Sequence, residues 1–121
     1  MNNRLSFSSL EKEFTPRMRS KINNAEDVVD LENHFSFTIV SLLKRVFPEG
    51  NIDIRMDDIV FDPRSKRYYS VSPRLTGSLA FQELWQSSDL ENVLFRFADK
   101  TYRRYMHLCK HPAKTEKKIR N

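Results

Sequence analysis

Residues 51–72 read NIDIRMDDIVFDPRSKRYYSVS, and this stretch decides whether the fold is entirely helical or contains a sheet. Ile52, Ile54 and Met56 alternate with charged residues. Strict alternation of apolar and polar residues is typical of a strand that buries one face. The alternation changes phase at Asp57–Asp58, so we expect the first strand to end there in a tight turn.

Two more strands are predicted in the rest of this stretch. IVF at 59–61 follows the turn, and YYSVS at 68–72 contains the aromatic and β-branched residues that strands favour. Between them, DPRSKR begins with Asp62–Pro63, a pair well suited to a turn. Pro73 ends the last strand. The stretch therefore predicts a three-stranded antiparallel sheet.

A long helix is predicted immediately before the sheet. Asn24 is its expected cap, and Pro48 and Gly50 are its stop signals. Apolar residues recur at helical spacing between these points. They are Val28, Leu31, Phe35, Ile39, Leu42, Leu43 and Val46. This pattern predicts a helix over 25–47 that buries one face.

Two further helices are predicted after the sheet. Ser78 is the expected cap of a short helix over 79–86. Ser88 and Glu91 have the spacing of a capping box and open a long helix over 89–109. The C-terminal half of the chain is therefore expected to be helical.

The N-terminal segment shows a helical pattern that a proline interrupts. Leu10, Phe14, Met18 and Ile22 recur every four residues. Pro16 lies inside this pattern and has no backbone N–H to donate. We therefore predict one short helical turn, followed by a second helix with Thr15 as its cap and Pro16 in its first position.

These elements together predict an α+β fold with N-terminal helices, a three-stranded antiparallel sheet, and C-terminal helices packed on one sheet face. We expect residues 1–111 to form a single α+β domain. Pro112 cannot continue the last helix, and the residues after it are mostly polar and basic. Residues 112–121 are therefore predicted to be a basic disordered tail.

Composition excludes several classes of function. The chain has only two glycines, so a glycine-rich loop that binds phosphates is excluded. Cys109 is the single cysteine, which rules out an internal disulfide and fits a reducing compartment. No stretch approaches the roughly 18 apolar residues of a membrane helix. We therefore expect a cytoplasmic protein that does not bind membranes.

The net charge of +5 is concentrated at the ends of the chain. Residues 110–121 contain five Lys or Arg and one Glu, a net charge of +4. Residues 25–50 contain two cations and five acids, a net charge of −3. Basic tails bind polyanions or simply keep a small protein soluble. Both interpretations remain open from composition alone.

A basic stripe runs along the polar face of the predicted last helix. It consists of Arg96, Lys100, Arg103, His107 and Lys110. A stripe of this kind can follow a phosphate backbone, with an affinity that falls steeply as salt rises. The same pattern is typical of the solvated face of an amphipathic helix. We therefore predict at most weak binding to nucleic acid through this stripe and the basic tail.

No catalytic, metal or cofactor site is predicted. His107 and His111 share a helical face, but Cys109 lies on the opposite side and cannot join them around a metal ion. Asp30 and His34 have the spacing of a general base with an orienting carboxylate, yet no nucleophile is placed beside them. A surface ion pair is the simpler interpretation.

The remaining candidate is an apolar surface on the first long helix. Phe37 lies about 180° from Val28 on a helical projection, with Val40 beside it. Aromatic residues that face away from a core are frequent anchors of protein interfaces. The sequence therefore predicts a small non-catalytic domain that binds a protein partner or forms a homodimer through Phe37 and Val40. The alternative prediction is a weak nucleic-acid-binding protein.

Overall fold

Helices make up most of the chain in the computed structural model, which describes residues 5–47 and 52–110. The helices are α1 (Ser8–Asn23), α2 (Val28–Val46), α3 (Pro73–Thr76), α4 (Leu79–Ser87) and α5 (Leu90–Lys110). The strands are β1 (Ile59–Phe61) and β2 (Tyr69–Val71). The predicted stop signals Pro48 and Gly50 and the predicted tail at 112–121 lie outside the described residues.

The sheet has two strands instead of three, because the first of the predicted strands, at 52–56, does not form. β1 and β2 are antiparallel, with Val60 opposite Ser70. Residues 52–55 have no regular structure, and Met56–Asp58 forms a turn of 3₁₀-helix. The Asp58 carboxylate accepts a hydrogen bond from the Arg55 N–H at 2.8 Å. This short-range bond bends the backbone where a strand would have to remain straight.

α1 is continuous, so the predicted break at Pro16 is also wrong. Pro16 lies inside the helix with its side chain exposed. Phe14, Met18 and Ile22 are all buried on one face of α1. The Thr15 hydroxyl donates to the Glu11 carbonyl at 2.7 Å instead of capping a new helix. Burial of the apolar face on both sides of the proline therefore outweighs the local cost of a proline in a helix.

α2 forms the centre of the core. Leu31, Phe35, Ile39 and Leu42 on its predicted inner face are completely buried. The helix begins three residues after the expected position, because the Asp27 side chain rather than Asn24 caps it, accepting the Asp30 N–H at 2.8 Å. The amphipathic pattern therefore predicted the helix and its buried face but not its first residue.

β1 covers part of this core with one face. Ile59 and Phe61 are buried, whereas Val60 between them is exposed. The Phe61 ring lies 5.9 Å from the Phe35 ring of α2 and 5.6 Å from the Tyr105 ring of α5. α2 and α5 thus contact the inner side of the strand that carries Phe61.

The C-terminal helices begin close to their predicted positions. Ser78 caps α4 by accepting the Phe81 N–H at 3.4 Å, and α5 begins at Leu90. Trp85 of α4 stacks on Phe81 at 5.0 Å and meets the edge of Tyr69 at 6.5 Å. These ring contacts attach α4 to the end of β2.

Candidate protein-binding surface

A groove of about 480 Å³ lies between α2 and β1, and we call it the α2–β1 groove. It is lined by Glu32, Asn33, Ser36, Met56, Asp57, Val60 and Phe61. One wall is the outer surface of α2, and the other wall is the 3₁₀ turn with the exposed side of β1. The groove therefore lies at the point where the predicted first strand is replaced by a turn.

One hydrogen bond fixes the two walls relative to each other. The Ser36 hydroxyl on α2 donates to the Ile59 carbonyl on β1 at 2.7 Å, and Ser36 is buried. The Phe61 ring forms the floor of the groove and lies between Phe35 of α2 and Tyr105 of α5. A buried hydrogen bond and a packed ring make the groove a rigid feature of the fold.

Exposed apolar side chains border the groove. The exposed fractions are 65% for Val29, 52% for Phe37, 43% for Met56 and 40% for Val60. Met56 and Val60 line the groove directly. Val29 and Phe37 stand four residues on either side of Asn33, so the three share one row of the α2 surface beside the groove. These four residues are the majority of the six large apolar side chains exposed within the described residues.

The two charged residues that line the groove are both acidic. Glu32 projects from α2, and Asp57 belongs to the 3₁₀ turn. In the described part of the chain, neither carboxylate accepts a hydrogen bond or lies in an ion pair. Most other acidic side chains have such partners, for example Glu11 with Arg96 and Glu13 with Arg45. The groove therefore combines an apolar floor with two carboxylates that form no ion pair or hydrogen bond with the described residues.

The two predicted partner contacts have different environments. Phe37 is half exposed, and its ring lies 5.9 Å from the Lys21 ammonium of α1. Val40 is only 6% exposed and belongs to the core. Val40 therefore cannot contact a partner in the folded chain, whereas Phe37 is accessible.

The structure places the residues of the basic stripe on the outer side of α5. Arg96 makes two hydrogen bonds to the Glu11 carboxylate of α1, at 2.7 and 2.8 Å. This bonding raises the pKa of Arg96. Arg103 pairs with Asp99 at 3.2 Å. The charge that these two arginines present to a polyanion is therefore partly neutralised.

The other members of the basic stripe project from the same helix. Lys100 is half buried, and His107 and Lys110 are exposed near the end of α5. Among the described residues, Lys100 and Lys110 are therefore the stripe cations that pair with no carboxylate.

The acids of the 51–72 stretch do not converge on one point. Asp53 pairs with Arg55 at 2.9 Å, and Asp62 accepts the Arg64 N–H at 3.0 Å. Asp58 is buried and accepts hydrogen bonds from Ser72 and Arg74. Among the described residues, no three His, Cys, Asp or Glu side chains are grouped so that they could hold a metal ion.

The histidine and cysteine candidates are also separated. His34 Nε2 lies 3.4 Å from Asp30 Oδ1 on the surface of α2, one helical turn apart. Cys109 is exposed on α5 as a free thiol. His111, the third residue of the metal hypothesis, lies outside the described residues. These side chains therefore form no common site in the part of the chain that the structure shows.

None of the residues that line the groove was among the partner contacts predicted from the sequence, and Glu32, Met56, Asp57 and Val60 matter most for its chemistry. Met56 was expected in the first predicted strand and Val60 in the second. The available signal was the change of phase at Asp57–Asp58, which marks the place where the chain leaves the alternating pattern. That signal locates the turn, but it does not reveal which helix lies opposite.

No protein-family model, curated protein or solved structure matches this chain. Within residues 5–47 and 52–110, none of the helices has both the length and the apolar character needed to cross a bilayer. The function of the α2–β1 groove is therefore inferred from its own residues.

Proposed function

We propose that this chain is a small non-catalytic protein-binding module whose contact surface is the α2–β1 groove with Phe37 and Val29 at its border. The observation that supports this function is the clustering of exposed apolar side chains beside one rigid groove. Apolar side chains concentrated at one place on a small domain favour a protein contact, because their burial releases water. The exposed Cys109 thiol supports a cytoplasmic location, where thiols stay reduced.

Self-association is one form of this proposed function. A homodimer would bury the same apolar side chains of both copies around a two-fold axis. Phe37 lies near the middle of α2, so two helices packed side by side would bring both Phe37 rings into the interface. Light scattering at increasing protein concentration distinguishes a homodimer from a surface kept for another protein.

Weak nucleic-acid binding is the second candidate function. It is supported by Lys100, His107 and Lys110 on one side of α5 and by the basic composition of the C-terminal segment. The pairing of Arg96 and Arg103 with carboxylates makes this candidate the weaker one. We therefore expect any such binding to be strongly dependent on salt.

The proposed function is tested by substituting the apolar border of the groove. Phe37→Ala and Val60→Ser remove apolar contact area from two sides, and Leu79→Ala is the matched control. Leu79 is 73% exposed but lies on α4, outside the groove. We expect self-association, or capture of a protein partner from a cell extract, to fall with both groove variants and to persist with the control.

Unfolding in denaturant separates loss of binding from loss of fold. Phe37 is half exposed, so Phe37→Ala should reduce the free energy of unfolding by less than about 1 kcal/mol. Binding that is equally strong in the wild type, the groove variants and the control would contradict the proposed surface. A Phe37→Ala chain that unfolds would show that Phe37 stabilises the fold instead.

A further inference from the structure

We propose that the α2–β1 groove accepts a lysine- or arginine-bearing segment of a partner protein, with its cations placed between Glu32 and Asp57. This inference rests on the proposed function and specifies the chemistry of the partner. The cationic side chain would lay its aliphatic stem along the apolar part of the groove. Its charged end would then meet the two carboxylates at the walls.

The first support is the unusual state of these two carboxylates. In the described residues, the side chains of Glu26, Glu32, Asp57 and Glu83 neither accept hydrogen bonds nor lie in ion pairs. Only Glu32 and Asp57 of these four line the groove. The chain has an excess of cations, and its arginines pair with Glu11, Glu13 and Asp53 elsewhere. Arg55 lies two residues before Asp57 and attracts it but forms its hydrogen bond with Asp53, so the groove keeps two carboxylates that no described side chain pairs with.

The second support is the combination of negative charge with apolar surface. Met56 and Val60 provide exposed contact for methylene groups, over a Phe61 ring that is itself almost completely buried. An acidic partner would be repelled by both walls, and a purely apolar partner would desolvate two carboxylates without compensation. A lysine or arginine side chain satisfies both parts of the groove, because it joins an apolar stem to a cation.

The hydrogen bond between Ser36 and Ile59 shapes the groove before a partner binds. Because it joins α2 to β1, the backbone positions that carry Glu32 and Asp57 are set on opposite walls before a partner arrives. Preorganised charges cost less to bring together than charges on mobile segments. The groove is therefore suited to binding basic segments with little rearrangement of the backbone.

The test uses the full chain and a short acetylated peptide in which Lys and Val alternate. A peptide with Glu in place of Lys is the charge-reversed probe. Binding is measured by NMR chemical-shift changes, and a carbodiimide then joins peptide amines to the nearest protein carboxylates. We expect the lysine peptide to shift groove resonances and to cross-link to Glu32 or Asp57. We expect the glutamate peptide, which has no amine for this cross-link, to leave the groove resonances unshifted.

Two double variants with the same change in net charge form the matched comparison. Glu32→Gln with Asp57→Asn should lower the affinity for the lysine peptide by about tenfold, if each contact contributes as much as an ordinary surface ion pair. Glu26→Gln with Glu83→Gln changes the same charge outside the groove and should leave the affinity almost unchanged. Equal weakening by both double variants would show non-specific attraction and would overturn the proposal.

Other occupants give distinct results. Cross-links within one chain from Glu32 or Asp57 to Lys114, Lys117 or Lys118, formed without peptide, would assign the groove to the chain's own C-terminal segment. Cross-linked dimers formed at low protein concentration would assign it to a second copy. Either result would overturn the choice of a separate partner.

The outcome also separates this inference from the proposed function on which it rests. If Phe37→Ala abolishes partner capture while the lysine peptide binds nowhere, the protein-binding surface stands and the basic partner is wrong. If the lysine peptide binds the groove while Phe37→Ala and Val60→Ser leave partner capture unchanged, the apolar border is not the contact surface. The charge preference of the groove would then stand alone.

Discussion

Asp58 organises the turn that replaces the predicted first strand. Its carboxylate accepts the Arg55 N–H at 2.8 Å, the Ser72 hydroxyl at 2.5 Å and the Arg74 guanidinium. Ser72 in turn accepts the Leu75 N–H at 3.3 Å as the cap of α3. One buried side chain therefore connects the 3₁₀ turn, the end of β2 and the start of α3.

These contacts set the pH dependence of Asp58. Burial raises the pKa of Asp58, but hydrogen bonds from Ser72, the Arg55 N–H and Arg74 outweigh burial and lower the pKa below its usual range. Ionised Asp58 therefore contributes its full stabilisation above the pKa of the unfolded chain, about 3.9 for aspartate. This stabilisation is lost as the pH falls through the lower pKa of Asp58 in the folded chain. Acidification below about pH 4 should progressively remove the advantage that ionised Asp58 gives.

We predict that Asp58→Asn lowers the free energy of unfolding by about 1–3 kcal/mol at pH 7 and by less at pH 3. Asp53→Asn is the control, because Asp53 pairs with Arg55 on the surface and should cost under about 1 kcal/mol. Urea unfolding at both pH values measures the difference. A cost of Asp58→Asn that is the same at both pH values would contradict an ionised Asp58 in the folded chain.

At the scale of elements, the sequence predicts where helices form better than it predicts the effect of Pro16 or of the alternation at 52–56. Ser78 and the apolar period of α2 act locally, so the start of α4 and the buried face of α2 could be read directly. Pro16 and the 52–56 alternation are also local signals, but distant contacts decide their outcome. Pro16 is retained inside α1 because Phe14 and Met18 bury against the core, and Met56 leaves the strand pattern because Asp58 bonds to Arg55.

The same reasoning explains what could be predicted of the candidate site. Phe37 follows from the helical period alone, since it lies opposite the buried face of α2. Val40 was misplaced because packing from outside the helix buries it. Met56 and Val60 reach the groove only through the path of the chain after residue 51, which a single sequence does not specify.

Pro16 offers a direct test of how α1 is stabilised. An alanine at this position restores a backbone N–H for the Lys12 carbonyl and removes the contact of the proline ring with the preceding turn. We predict that Pro16→Ala raises the free energy of unfolding by about 1–3 kcal/mol, because Pro16 is exposed and makes no core contact to lose. Denaturant unfolding measures the change.

Arg19→Ala is the matched control for this prediction. Arg19 is exposed one turn further along α1, and its substitution should change stability by less than about 0.5 kcal/mol. A Pro16→Ala chain that is less stable than the wild type would mean that α1 depends on a bend at the proline.

For the whole molecule, the distribution of charge separates two surfaces. The α2–β1 groove has two acids that pair with no cation in the part of the chain that the structure describes, and the outer side of α5 has the basic stripe. Arg96 bonds to Glu11 and so joins α5 to α1. Part of the stripe therefore stabilises the packing of helices instead of remaining available to a polyanion.

We predict only weak binding of duplex DNA or RNA at physiological salt. Each phosphate contact contributes about 0.9 to the slope of log binding constant against log salt concentration. Changing Arg96, Lys100 and Arg103 together to Gln should reduce this slope by less than three contacts, because carboxylates already pair with Arg96 and Arg103. Gel shifts over a range of salt concentrations measure the slope.

Lys12, Arg19 and Lys44, all exposed outside the stripe, provide a control triple substitution to Gln. Tight binding that disappears with the stripe variant and persists with the control would make nucleic-acid binding the main function. Circular dichroism of the stripe variant shows whether loss of the Arg96–Glu11 bonds disturbs the helices.

Trp85, stacked on Phe81 and close to Tyr69, is the single tryptophan of the chain. Ultraviolet emission excited above the tyrosine band therefore comes from one place, the junction between α4 and β2. Melting of this junction should move the emission to longer wavelength, as water replaces the surrounding rings. Since Trp85 does not line the groove, a partner without tryptophan that binds there should leave this emission unchanged unless it alters the fold. The chain thus contains its own optical reporter, which distinguishes occupancy of the surface from disturbance of the core.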